Sequence, residues 1–367
     1  MNVLHVFRSP VGGLFRHVSD LVEDQAKRGY KVGIVCDATS GGENAIHKLK
    51  ALEAQCELGV HRLPMSRSIG LEDFVVQRSL PAICGPLQPD IIHGHGAKGG
   101  AYGRFLANKL QAKAVYTPHG GSLHYSIASP TGAIYLALES FFKKLTHGII
   151  FESQFSADTY QKKIGAFTCA HKVIHNGLRE TEFAELDRVK GINQFVFIGE
   201  IRHLKGLDAL LKAMAILTKK TQANLLVFGS GPDEAFYKKR SSELGLDEVV
   251  AFHPAIFPAT EAFKLAKCVV IPSLAESFPY IVLEAAAAKV PLLTTRVGGI
   301  PEIFGSFSNH LLPAGNAELL ANAMLRIIET PEQTEQFAQQ LHDQIHANFT
   351  YTQMVDKTAS FYQELLS

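Results

Sequence analysis

The sequence predicts an α/β protein made of two doubly wound parallel-sheet domains facing a cleft. Three observations carry this reading. Short apolar runs alternate with amphipathic stretches of helical period along the whole chain, as strand-helix-strand units require. The 367 residues, 46% of them hydrophobic, exceed what one ordinary core holds. The pattern then restarts at Gln194, after a charged stretch from Gly177 to Ile192 that lacks a strong period. An N-terminal domain over 1–178, a linker over 179–192 and a C-terminal domain over 193–345 follow.

In the first half, strands are expected at Val3–Phe7, Lys31–Cys36, Ile91–His93, Ala114–Thr117, Gly148–Phe151 and Lys172–His175. In the second half they are expected at Gln194–Ile198, Ala223–Phe228, Val249–Phe252, Cys268–Ile271 and Pro291–Thr294. Sheets of this kind bind ligands outside the carboxyl ends of their strands, so the strand-to-helix loops are where chemistry is expected.

Those loops carry the unusual residues. After the first strand, Gly12 and Gly13 form a turn that opens an amphipathic helix, and paired glycines let backbone approach a phosphate. The segment from Asp90 to Gly100 holds His93 and His95, which could be metal ligands, but no third ligand follows at a zinc-like spacing. Tyr116 to Gly121 ends another strand with His119, which reads either as a site residue or as a capping or core histidine. The loop from Ser122 to Gly132 is long for a compact domain, as functional loops are. Ala137 to Leu145 reads as a core-facing helix with a solvated lysine pair rather than a membrane-surface helix, and Ser153 as a helix N-cap.

The second half opens with Phe197 to Gly206, whose Arg202 and Lys205 put cations on a strand-to-helix loop, where they would favour an anion. Gly229 and Gly231 follow the next strand. Cys268–Ile271 then runs into a polar loop with Glu276, and a helix opens near Pro279 with Glu284 one to two turns in. Helix N–H groups favour an anion, whereas carboxylates favour hydroxyls. A nucleotide diphosphate sugar, with phosphates between two sets of hydroxyls, satisfies both. The bland alternative is a solvated loop glutamate and an ordinary first-turn glutamate.

Glu276, seven residues and Glu284 resemble the paired-glutamate motif of retaining glycosyltransferases of the GT-B fold, family 4, the glycosyl transferases group 1. That fold is two Rossmann-like domains. The resemblance implies that Glu276 holds the donor sugar and Glu284 the ribose, with the backbone of Phe278, Pro279, Tyr280 and Ile281 touching sugar and phosphate. It further implies that Gly12 and Gly13 approach the donor phosphates, that His119 faces sugar and acceptor with the loop from Ser122 to Gly132 after it as a candidate acceptor loop, and that Gly229 and Gly231 form a turn under the nucleotide. Phe252-His253-Pro254 and Val297 to Glu302 also match, so the likeness covers essentially the whole chain, most strongly from Phe197 to Glu302. One departure stands out: Glu200 occupies the position of the family's usual arginine, and Arg202 lies two residues later. A C-terminal helix over 346–367 is expected to pack back towards the N-terminal domain.

Composition narrows the surroundings. There is no run of about 18 apolar residues, and the N-terminus reads as a strand rather than a leader. Cys36, Cys56, Cys84, Cys169 and Cys268 are odd in number and widely spaced, which suggests reduced thiols in a cytoplasmic protein. Lys and Arg exceed Asp and Glu by six over residues 1–180 and fall short by five over the rest. A basic first half suits an anionic acceptor or an anionic membrane surface, or is simply a solvated face.

The expectation is therefore a metal-independent, retaining glycosyltransferase. Its donor would be a UDP- or GDP-sugar and its acceptor a glycan or lipid-linked hydroxyl, with no nucleic-acid partner. The general look resembles bacterial enzymes of lipopolysaccharide, capsule or exopolysaccharide synthesis, acting in the cytoplasm or peripherally on the inner face of the membrane. No Asp-x-Asp occurs, which fits a diphosphate neutralised by side chains and helix N–H groups. A dinucleotide oxidoreductase would need Gly-x-Gly-x-x-Gly after the first strand, and that spacing is missing. A non-catalytic nucleotide-sugar or glycan-binding protein, and an epimerase or phosphorylase on the same fold, remain as alternatives.

Overall fold

A computed structural model describes residues 1–66, 70–125, 128–189 and 191–367, without the side chains of Asn44 and His124. Ser126 and Ile127 of the candidate acceptor loop, and Lys190 of the expected linker, therefore lie outside the described residues. The chain forms two compact units, Met1–Asn176 with Thr352–Ser367, and Gly177–Tyr351.

The first unit holds seven strands: β1 (Asn2–Phe7), β2 (Lys31–Asp37), β3 (Val60–Leu63), β4 (Ile91–His95), β5 (Lys113–Thr117), β6 (Gly148–Phe151) and β7 (Ala170–Val173). All pair in parallel in the order β3-β2-β1-β4-β5-β6-β7. Strand β3 was not expected from the sequence. It is a four-residue edge strand, half-buried throughout, and carries His61 and Arg62, so it shows no apolar run. Strand β7 starts two residues earlier than expected.

Side chains alternate between the two faces of a strand. Leu4 and Val6 accordingly join Val35, Ile92 and Ala114 in one apolar core. On the other face, His5 pairs in register with His93, and Phe7 with His95. The centre of that face is thus lined by histidines where a parallel sheet ordinarily places aliphatic residues.

The second unit holds β8 (Gln194–Ile198), β9 (Asn224–Phe228), β10 (Val250–His253), β11 (Cys268–Ile271) and β12 (Leu292–Thr294), parallel in the order β10-β9-β8-β11-β12. Phe195, Phe197, Cys268 and Val270 pack with Leu207, Leu210, Leu211 and Met214 of the helix Leu207–Leu217. The alternate residues Val196, Val269 and Ile271 pack with Val282, Leu283 and Ala286 of the helix Tyr280–Ala287. Each fully buried large apolar side chain contributes about 1.5–3 kcal/mol, which makes these two layers the main support of the loops above them.

Two expected boundaries move. The segment 179–192 is part of the second unit: Phe183 is buried in its core and the Val189 N–H donates to the Lys264 carbonyl. The final helix runs Tyr351–Leu366, since residues 346–348 end the preceding helix Pro331–Asn348, and Thr352–Ser367 clusters with the first unit. The described residues contain no helix long and apolar enough to cross a membrane, and all five cysteines are unpaired.

Candidate active site

In the second unit the strand order reverses direction between β8 and β11, the crevice where an open α/β sheet binds ligands. The loop after β8 delivers Lys205 to this point, and the loop after β11 delivers Glu276. Lys205 Nζ and Glu276 Oε1 form an ion pair of 2.6 Å, both side chains being mostly buried. Ser273 Oγ donates to the same oxygen at 2.7 Å, and Thr295 Oγ1, after β12, donates to the Ser273 carbonyl at 2.5 Å. Glu276 Oε2 has no protein donor among the described residues.

Backbone contacts lock these loops together. Gly206 and Gly298 both have positive φ, +71° and +58°. A Cβ on Gly206 would lie 1.9 Å from the Pro272 carbonyl oxygen, and one on Gly298 would lie 1.8 Å from that of Glu276. Gly229 and Gly231, expected under a nucleotide, have the same packing reason to be glycine: a Cβ there would meet the carbonyl oxygens of Gly199 and Ile201 at 1.9 and 2.2 Å. They hold the loop after β9 against the loop after β8.

The helix after Glu276 starts at Tyr280, with Pro279 in extended conformation as its N-cap. Phe278 and Tyr280 are buried, and the Phe278 ring packs 5.5 Å from that of Phe349, so these side chains serve the core. Pro279 and Ile281 are half-buried, as is Glu284 in the second turn. Arg202 does not join Lys205. Its Nε pairs with Glu200 at 3.1 Å, so the two residues that depart from the family pattern neutralise each other.

In the first unit the corresponding reversal lies between β1 and β4, and the histidines gather there. His5 comes from β1, His93 and His95 from β4, His17 from the helix Gly12–Lys27, and His119 from the loop after β5. His119 sits at φ +48°, a left-handed conformation uncommon outside glycine and concentrated at functional sites. Its neighbour Gly120 donates to Glu152 Oε1 at 3.0 Å. A buried network pins the same loop: Arg104 Nη1 meets Glu139 Oε2 at 2.8 Å, while Tyr116 and Ser122 donate to Glu139 Oε1 at 2.8 and 2.9 Å. Gly12 and Gly13 are exposed at the start of their helix, with open space around Gly12.

Burial holds these imidazoles neutral. It lowers His5 to about 4 and His119 to about 3, and takes His17, His93 and His95 well below the usual range.

The comparisons with known proteins agree along the chain. Residues 11–182 match the model described as Glycosyltransferase Family 4, and residues 179–343 match Glycosyl transferases group 1. The chain is a GT-B glycosyltransferase.

An uncharacterised glycosyltransferase of Methanocaldococcus jannaschii is 24% identical over 388 residues, covering 96% of this chain and 94% of that protein. Two solved structures share the fold. Anabaena HepE, in complex with UDP-glucose, has a TM-score of 0.81 at 18% identity over 99% of this chain and all of that one. WaaG, a glycosyltransferase involved in lipopolysaccharide biosynthesis, has a TM-score of 0.74 at 15% identity over 99% of each.

In this glycosyltransferase, sequence reasoning missed Ser273 and Thr295, and it missed His5, His17, Gln25 and Tyr362 around the two expected histidine segments. The one signal for the latter was the concentration of histidine in the first half, 11 of 16 by residue 180. Two triplets, His5-His93-His95 and His17-His95-His119, bring ligand-capable nitrogens within 4.8 Å of one another. The third ligand that the linear spacing lacked is thus supplied by other elements. Both nitrogens of His95, which the two triplets share, are nonetheless engaged, with His5 and His119, as are those of His93 with Tyr362 and Thr117, so a metal in either triplet would have to displace those bonds.

Proposed function

We propose that this glycosyltransferase is retaining and metal-independent, and that it moves a sugar from a UDP- or GDP-sugar to a glycan or lipid-linked acceptor hydroxyl. The observation that carries the donor reading is the Lys205–Glu276 pair at the strand reversal of the second unit. Lys205 and Ser273 both bond Oε1, which leaves Oε2 to accept from a sugar hydroxyl, while the Lys205 ammonium adds positive charge for a diphosphate. HepE, with UDP-glucose in its structure, supports a nucleotide-sugar donor. Glu284 then serves the ribose, and the backbone from Phe278 to Ile281 serves the phosphates, consistent with side chains committed to the core at Phe278 and Tyr280.

Glu276 is tied to a cation and a hydroxyl, which is poor preparation for a nucleophile or a general acid. The departing phosphate oxygen therefore takes the acceptor proton on the face of attack, and the anomeric configuration is kept. A role in bacterial lipopolysaccharide, capsule or exopolysaccharide synthesis is supported by the likeness to WaaG. Contact with an anionic membrane is supported by Ile134, Leu138 and Phe141, exposed at helical spacing before Lys143 and Lys144.

The test is a thermal-shift and hydrolysis screen against UDP-, GDP-, ADP- and CMP-sugars beside NAD(H), with chelator present, repeated on Glu284→Ala. Stabilisation by one sugar nucleotide, lost in the variant and indifferent to chelator, is expected. A response to NAD alone, or to no sugar nucleotide, overturns the reading.

A further inference from the structure

A chain of hydrogen bonds runs from the interior of the first unit to His119. Gln25 Oε1 lies 2.9 Å from His5 Nε2, His5 Nδ1 lies 3.0 Å from His95 Nε2, and His95 Nδ1 lies 3.1 Å from His119 Nε2. Gln25, His5 and His95 are at most 2% exposed, so water does not reach these three inner members. His119 is the member with access to solvent.

The chain has a direction, because a neutral imidazole has one N–H and one lone pair. The amide oxygen of Gln25 can only accept, so His5 carries its proton on Nε2 and accepts at Nδ1. His95 must then donate from Nε2 and accept at Nδ1, and His119 must donate from Nε2. We infer that Gln25, acting through His5 and His95, is a positioning residue that fixes His119 as the Nε2–H tautomer with a bare lone pair on Nδ1. His119 Nδ1 has no partner among the described residues. The group that meets it is an O–H donor, such as a sugar or acceptor hydroxyl, and a phosphate oxygen would be repelled.

The Gln25 Nε2 makes no hydrogen bond among the described residues, so the Nε2–H of His5 is what the amide oxygen holds. Beside this chain, with the His93 ring 3.9 Å from that of His95, the buried Tyr362 hydroxyl bonds His93 Nδ1 at 2.6 Å while His93 Nε2 meets Thr117 Oγ1 at 2.8 Å. Turning the amide over would reverse the chain and give His119 an Nδ1–H donor. One buried amide thus decides whether His119 offers a lone pair or a proton.

The assay is long-range 1H–15N spectroscopy of the histidine-labelled full chain at pH 7, with the three rings assigned through His5→Gln, His95→Gln and His119→Gln. Nε2–H tautomers at all three are expected. Gln25→Glu, whose carboxylate can only accept, should keep them, while Gln25→Leu should leave His119 as a tautomer mixture. The role in the reaction rests on the glycosyltransferase reading above. With a donor sugar nucleotide in hand, Gln25→Leu should lower kcat/KM about tenfold or more, the scale of a misplaced proton-transfer or hydrogen-bonding group, and Gln25→Glu should restore most of it. An Nδ1–H tautomer, a mixture or a doubly protonated His119 ring in the unmodified protein overturns the inference whether or not transfer is observed. Failure of every sugar nucleotide with the Nε2–H tautomers present overturns the proposed function and leaves the tautomer assignment standing.

Discussion

Lowering the pH from 7 to 5 is expected to destabilise the first unit through its histidines. His5, His17, His93 and His95 are at most 1% exposed and are held neutral in the folded chain, His5 at about 4 and the others well below their usual range. The unfolded chain titrates near 6.5, so between that value and the folded pKa it binds more protons than the native state, and stability falls with pH. For one such group the loss between pH 7 and pH 5 is about 1.9 kcal/mol, and four together lose roughly 7 kcal/mol. Partly exposed His119 is left out of that figure. Asp37 and Asp73, whose pKa values are also lowered, are at full strength throughout this window and lose their contribution only further into acid. A loss of roughly 7 kcal/mol is half or more of the 5–15 kcal/mol that a domain ordinarily has. Urea unfolding followed by far-ultraviolet circular dichroism should show the first unit's midpoint falling by about 2–4 M between the two pH values. His93→Gln, which cannot take a proton, should remove about a quarter of that fall. A midpoint that moves by less than about 0.5 M, or imidazole resonances that titrate near 6.5 in the folded protein, would refute the reasoning.

Three substitutions test the loops. Lys205→Ala leaves a mostly buried Glu276 without its cation and should lower kcat by about 10²–10³, read from initial rates with a saturating sugar nucleotide; an unchanged kcat would remove Lys205 from the leaving-group role. Gly298→Ala places a methyl group 1.8 Å from the Glu276 carbonyl oxygen, so thermal shift by the donor nucleotide should vanish while far-ultraviolet dichroism stays native; retained binding would show that the loop gives way. Glu139→Ala strands a buried Arg104 and frees the Tyr116 and Ser122 hydroxyls, which should cost about 3–5 kcal/mol in urea unfolding, and a loss under about 1 kcal/mol would contradict the buried-pair account.

Much of the second unit was legible in the chain itself. Its strands are short apolar runs with both faces covered, and all five begin within one residue of the expected position, with Gln194 opening the first. Glu276 and Lys205 stood out because they lie on strand-to-helix loops, and Glu284 because it lies in the second turn of the helix that one of those loops opens, where chain order and spatial order coincide. The edge strand β3 was not legible, because a half-buried strand carrying His61 and Arg62 has no periodic apolar signal. The pairing of Arg202 with Glu200 was also hidden, since side-chain direction on a loop is not fixed by spacing.

The histidine chain is the strongest case of what tertiary structure alone decided. His5, His17, His93, His95 and His119 are scattered over more than a hundred residues, and they meet because β4 inserts between β1 and β5 in a parallel sheet. Linear spacing fixed which residue types were present and where the strand ends would fall. It could not say that the His5 and His93 rings share one face, that Gln25 lies behind them, or that the final helix brings Tyr362 to the same place. Those contacts depend on strand order and on the return of the chain's last segment, and strand order is set by the packing of the whole sheet.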